Sequence, residues 1–225
     1  MSLIASPLAA ILRARIPYRT AAPDNARLPP DAQSLLALRR RLRAGRRTLD
    51  RHRQRANADA IMRRLARLLR GARHIALYVA ADGEPDVLDL TRRLPARGRR
   101  WYLPVLRGHA RGRLWFVRYR PGRHLRRNRF GIPEPRQRRR AIQPVQGLGV
   151  VLLPLVGFDA DCNRLGMGAG YYDRSLAFLR HRMHWRRPLL IGLAHECQRV
   201  ERIAPRPWDI PLDAVVSESG IYWRG

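Results

Sequence analysis

The chain has 225 residues and an apolar fraction of 45%, enough for one sizeable domain with its own core and too apolar for a disordered polypeptide. Its 46 basic residues stand against 17 acidic ones, a net charge of +29, and all 46 are arginine. Without lysine there is no Schiff base, no pyridoxal phosphate linkage, no P-loop and no kinase strand lysine, so phosphate must be handled by arginine, backbone amides or metal.

Residues 1–33 are expected to form a flexible N-terminal extension, because prolines at 7, 17, 23, 29 and 30 interrupt any sustained period. An organelle-targeting role is the alternative for this arginine-containing, acid-poor stretch. Residues 34–225 read as one domain. A helix is expected from Ala32, capped by Asp31, running through Leu35, Leu38 and Leu42 to Gly45. A second starts near Asp50, with an apolar stripe of Ala56, Ile61, Leu65, Leu68 and Leu69, and stops at Gly71. His74–Ala80 then reads as a buried strand, Asp82-Gly83 as a turn, and Asp86–Arg97 as a helix. Strands follow at Arg100–Val105, Leu114–Tyr119 and Gly149–Leu155, a helix at Tyr171–Arg180, and strands at Leu189–Ala194 and Asp213–Ser217. Strands alternating with helices predict an α/β fold: a single three-layer domain with a mostly parallel central sheet flanked by helices. No apolar run approaches the roughly 20 residues that cross a bilayer, so no membrane role is expected. Cys162 and Cys197 lack metal or redox spacing and read as reduced thiols of a cytoplasmic protein.

The segment from Asp159 to Arg174 follows the strongest strand and precedes a helix, the place where open α/β sheets bind ligands. Gly166, Gly168 and Gly170 alternate, permitting positive φ and close backbone approach to an anion. Arg164 and Arg174 bracket this loop and can neutralise phosphate; Asp173 is a hard oxygen ligand of the type magnesium prefers. A ligand-free turn is the alternative. Glu84 follows a strand and can accept hydrogen bonds from a heterocycle, or it is a plain turn acid. Asp209 or Asp213 can share a metal with Asp173, or cap a turn. The histidines show no metal spacing, and none is assigned to catalysis. The arginine clusters Arg39–Arg43, Arg97–Arg100 and Arg136–Arg140 read mostly as solvated faces, although a field of +29 also attracts polyanions, RNA included.

The loop Arg164-Leu-Gly-Met-Gly-Ala-Gly-Tyr-Tyr-Asp-Arg174, preceded by Leu153-Pro-Leu-Val-Gly-Phe-Asp159, resembles the signature of the 5-formyltetrahydrofolate cyclo-ligase family, also called methenyltetrahydrofolate synthetase. Asp82–Glu84, Trp101–Val105, Asn128–Pro135, Ile191–Gln198 and Trp208–Val216 resemble family blocks in the expected order, from about residue 34 to the end. The resemblance implies ATP-dependent cyclisation of 5-formyltetrahydrofolate to 5,10-methenyltetrahydrofolate, with release of ADP and phosphate, by a monomer using Mg2+. It implies ATP contacts from Arg39, Arg164, Leu165, Gly166, Met167, Gly168, Ala169, Gly170, Tyr171 and Tyr172. Folate contacts are implied for Val79, Glu84, Met167, Gly168, Ala169, Gly170 and Tyr171. Magnesium falls to Asp173 and Asp209, and catalytic charge neutralisation to Arg164, Arg174 and Asp173. One departure is that Leu35 stands where the family often has a lysine, and a neighbouring arginine is the candidate to replace its phosphate contact.

Overall fold

Two arginine-rich helices open the described part of the chain. The structure, a computed structural model, describes residues 32–96, 98–106, 112–136, 139–181 and 188–225. The expected extension up to residue 31, the Asp31 cap and His109 lie outside the described residues, as do Arg97 and parts of the Arg136–Arg140 cluster. Helix α1 spans Ala32–Arg47 and passes through Gly45 rather than ending there, since the Thr48 hydroxyl caps the Gly45 carbonyl at 2.8 Å only after the final turn. Helix α2 spans Arg51–Leu68, with Asp50 as its N-cap accepting from the Arg53 N–H at 2.7 Å. Its stripe buries Ile61, Met62, Leu65 and Leu68.

The main sheet has eight strands: β1 His74–Ala76, β2 Arg100–Leu106, β3 Leu114–Tyr119, β6 Ile142–Gln143, β7 Val150–Pro154, β10 Leu189–Leu193, β11 Ala214–Val216 and β12 Ile221–Trp223. Two small hairpins lie outside it, β4 Arg126–Arg127 with β5 Pro133–Glu134, and β8 Gly157–Phe158 with β9 Arg164–Leu165. The order is β12-β11-β10-β7-β1-β2-β3-β6. The four central pairings are parallel, and the three outer ones, β11–β12, β2–β3 and β3–β6, are antiparallel. The sheet is therefore mixed, with a parallel heart.

Alternate residues feed opposite layers, as the strand pleat requires. Ile75, Trp101, Leu103, Val150, Leu152 and Ile191 pack with α2, whereas Ala76, Tyr102, Val151, Leu153 and Leu190 pack with Leu176 and Leu179. Several expected strands lose a residue at one or both ends, and three expected elements are altered more substantially. The run His74–Ala80 keeps only three ladder residues; Leu77 still donates to the Tyr102 carbonyl at 2.8 Å, after which the chain leaves the sheet toward a turn. The helix expected over Asp86–Arg97 shrinks to α3, Leu90–Arg93, because Pro95 drives Leu94 into an extended conformation (φ −107°, ψ 134°). The helix expected over Tyr171–Arg180 is α4, Tyr171–Leu176, tightening into a 3-10 segment over Ala177–His181.

Candidate active site

The strand order reverses between β1 and β7: from β1 the chain winds outward to β2, and from β7 it winds the other way to β10 and β11. Connections there leave in opposite directions, so a crevice must open beyond the carboxyl ends of β1 and β7. A cleft of about 1130 Å³ lies at that place. Tyr78, Val79 and Glu84 enter it from β1, Leu153–Val156 from β7, and Arg164–Arg174 from the glycine loop. Leu35 and Arg39 come from α1, and Arg206, Trp208 and Asp209 from the connection into β11. Every residue that the family resemblance implies for ATP, folate or magnesium thus lines one cleft.

The loop is built from the β8–β9 hairpin into α4. Buried Asp159 organises the hairpin, its two oxygens accepting from the N–H groups of Asp161, Asn163 and Ile203 at 3.1, 2.9 and 2.8 Å. Gly168 and Gly170 adopt φ of 97° and 65°, where a side chain would be strained, while Gly166 does not use the left-handed region. Arg39, 127 residues earlier in the chain, donates its Nε to the Gly166 carbonyl at 2.8 Å and lies beside Gly168.

Arg164 is committed to structure. It pairs with Asp173 Oδ1 and also donates to the Ile210 carbonyl. Arg174 folds back onto the loop, donating to the Ala169 carbonyl at 2.5 Å and the Gly112 carbonyl at 3.1 Å. Among the described residues, then, the two arginines expected to bracket a phosphate are already bonded, one of them to the acid expected to hold magnesium. Burial raises the Asp209 carboxyl above its usual range, and nearby Asp173 adds to that rise. One oxygen of each acid is engaged, Asp173 Oδ1 as above and Asp209 Oδ2 by the Arg206 N–H at 2.9 Å. The second oxygen of each carries no hydrogen bond among the described residues. Two neighbouring carboxylates that repel each other fit a hard divalent cation held by one or two carboxylates plus phosphate oxygens. No group of three or more possible metal ligands occurs among the described residues.

Glu84 sits in the turn after β1, with Asp82 and Gly83 at φ 53° and 79°. Its Oε2 accepts from the Ala81 N–H at 3.1 Å. Burial raises its carboxyl from 4.5 to about 7, so it is poised between neutral acid and carboxylate near neutral pH. The turn itself is clamped. Arg43, Arg46 and Arg47 of α1 donate to Asp82 at 2.8, 2.8 and 2.5 Å. Burial opposes the Asp82 charge, but these guanidinium groups outweigh it and hold the carboxyl below its ordinary value. Arg46 is fully buried and also donates to the Leu155 carbonyl at 3.2 Å, tying α1 to the end of β7. Part of the arginine run expected to be a solvated face is therefore aimed at the cleft.

His195 was also outside the expected site. It is buried, its Nε2 lies 3.1 Å from the Gly83 carbonyl, and its Nδ1 lies 3.2 Å from the Asn57 amide, which in turn donates to Glu218 at 3.0 Å. A donor Nε2–H and an acceptor Nδ1 satisfy both contacts, so the neutral ring fits, and burial lowers its basicity accordingly. At the other side of the cleft, Arg129 donates to the Tyr171 hydroxyl at 2.6 Å, and Phe130 packs edge-on to Tyr171. Phe130 and Met167, each 56% exposed, form an apolar rim there. No sequence signal separates Arg46 from the other arginines, and membership of the Ile191–Gln198 block marks His195 without giving it a role, because both roles depend on partners more than 30 residues away.

A family model described as the 5-formyltetrahydrofolate cyclo-ligase family matches residues 31–218. A 5-formyltetrahydrofolate cyclo-ligase of Escherichia coli (strain K12) is 42% identical over 151 residues, 67% of this chain and 81% of that protein. One from Haemophilus influenzae is 40% identical over 145 residues, 64% of this chain and 74% of that protein. Among solved structures, Aquifex aeolicus 5,10-methenyltetrahydrofolate synthetase superposes with a TM-score of 0.70 at 27% identity, covering 84% of this chain and 92% of that one.

Proposed function

The chain belongs to the 5-formyltetrahydrofolate cyclo-ligase family, and from that premise we propose how its cleft carries out the ATP-dependent closure of 5-formyltetrahydrofolate to 5,10-methenyltetrahydrofolate. The observation that carries the reading is the convergence, at the reversal of strand order, of Glu84, Arg39, the glycine loop, Asp173 and Asp209. Glu84, as carboxylate, accepts from the N–H groups of the pteridine, with Val79 and Tyr171 against the ring system. The backbone of Arg164–Tyr172 approaches the triphosphate, aided by Arg39. Asp173 and Asp209 would hold Mg2+, which when bound neutralises phosphate oxygens and orients them.

The chemistry balances without a protein nucleophile. The formyl oxygen attacks the γ-phosphorus, the bond to the β-phosphate oxygen breaks, and ADP leaves. N10 then attacks the activated formyl carbon, phosphate departs with the former formyl oxygen, and N10 loses its proton as the ring closes. What this requires of the protein is in-line placement and charge neutralisation. Arg164 serves that end indirectly, by holding Asp173 in place, and Arg174 by holding the loop carbonyls. In this reading the chain works as a cytoplasmic monomer, and the +29 charge draws anions toward the cleft, with the triphosphate as the anion that matters for turnover.

The test is direct. Purified protein given 5-formyltetrahydrofolate, ATP and magnesium is expected to generate the near-ultraviolet absorbance of the methenyl product, with stoichiometric ADP. Salt-dependent RNA binding with no such product would overturn it.

A further inference from the structure

Two guanidinium groups in the cleft form no ion pair among the described residues, although Asp209 lies close enough for both to feel its charge. Among the described residues Arg39 bonds only to the Gly166 carbonyl, Arg206 makes no side-chain hydrogen bond, and neither lies within ion-pair distance of a carboxylate. Both line the same cleft, and Arg39 lies beside Gly168 of the glycine loop. Arg206 is held there by two features. It lies between Pro205 and Pro207, which limits the backbone, and its guanidinium carbon sits 5.6 Å from the Trp208 ring centroid. Its own backbone N–H binds Asp209, so the turn that presents Arg206 also presents an acid proposed for the metal.

We propose that Arg206 is a phosphate-binding residue of the nucleotide site, closing with Arg39 a two-guanidinium clamp above Gly166–Gly168. The proposal rests on reading the cleft as the ATP site and adds a residue to it. Arg164 is paired with Asp173 and Arg174 is folded back onto loop carbonyls, so each already has two of its five N–H donors committed. Among the described residues Arg39 has committed one, its Nε–H to the Gly166 carbonyl, and Arg206 none. The two cations also sense each other: burial, and then the Arg206 charge, lower the basicity of Arg39, and the Asp209 charge only partly opposes them. Like charges gathered in a half-buried cleft, with Asp209 offsetting them only in part, are relieved when a dense anion enters. One turn before Arg39, Leu35 offers the cleft only an apolar surface, so α1 supplies no second cation there. The cation comes instead from a loop about 170 residues away.

The test uses the full chain and the variants Arg206→Ala and Arg206→Lys, with ATP affinity measured by calorimetry in the absence of folate and KM determined for both substrates. Loss of a charge-assisted phosphate contact is expected to weaken ATP binding roughly 10- to 100-fold in Arg206→Ala. Arg206→Lys should recover part of this, and the KM for 5-formyltetrahydrofolate should stay within about twofold. Arg206 is partly exposed, so a thermal melt of Arg206→Ala should match that of the unchanged chain. ATP affinity within twofold of the unchanged chain overturns the proposal while leaving the function intact. A rise confined to the folate KM also overturns it, and assigns Arg206 to the carboxylates of the folate instead. Failure of the unchanged chain to bind ATP at all defeats the nucleotide reading itself, and the clamp with it.

Discussion

Replacing Glu84 with glutamine isolates the cost of a buried carboxylate. Glutamine keeps the shape and an oxygen for the Ala81 N–H but cannot ionise. Burial raises the Glu84 carboxyl from 4.5 to about 7, so between these values the folded chain holds a proton that the unfolded chain has lost. Stability then falls as pH rises through that window, because the unfolded state binds fewer protons than the native one. Below about pH 4.5 both states are protonated and the contribution vanishes; above about pH 7 it is complete. At about 1.4 kcal/mol per pH unit the full penalty is roughly 3 kcal/mol, and closer to 2 if cleft water screens the charge. Glu84→Gln is therefore expected to be more stable than the unchanged chain by roughly 2–3 kcal/mol at pH 8, and by less than about 1 kcal/mol at pH 5. Urea unfolding at the two pH values reads this out, and for a domain of this size the gain at pH 8 corresponds to roughly 5–10 °C in Tm. The same variant should bind 5-formyltetrahydrofolate more weakly, and the rise in folate affinity expected of the unchanged chain as pH passes 7 should be absent from it. A stability difference that is the same at pH 5 and pH 8 would refute the reasoning, since a packing effect has no reason to follow the titration.

Three further outcomes are expected. Asp173→Asn should lower kcat by roughly 100-fold or more while retaining the far-ultraviolet dichroism of the fold, and near-normal turnover with magnesium would remove Asp173 from the site. His195→Ala should raise the folate KM with the ATP KM unchanged, because it frees the Gly83 carbonyl and slackens the Glu84 turn; it should also cost about 1–3 kcal/mol, with His195→Gln recovering part of both. Gly192→Ala, in the middle of β10, would set a methyl group 2.5 Å from Leu212 Cδ1 and 2.6 Å from Leu155 Cδ1, both buried, and should destabilise the fold by about 1–3 kcal/mol in a thermal melt without changing either KM.

What could be read from the residues alone was what local physics decides. Apolar runs such as Val150–Pro154 and Leu189–Leu193 are buried on both faces wherever they sit, so they announce a parallel sheet core, and Asp50 caps α2 through a contact three residues away. The glycine loop was legible for the same reason: positive φ at Gly168 and Gly170 is a property of those residues themselves. The short strands β4, β5, β6, β8, β9 and β12 were not foreseen, because two or three residues carry no readable period and exist only through their partners. Charge was the least legible quantity. In a chain with 46 arginines, composition cannot separate Arg46, fully buried against Asp82, or Arg39 on the glycine loop, from those that merely face water. Only the tertiary structure made that selection, because an ion pair or a hydrogen bond is a matter of a few ångströms between groups that the chain brings together from more than 30, and for Arg39 from 127, residues apart.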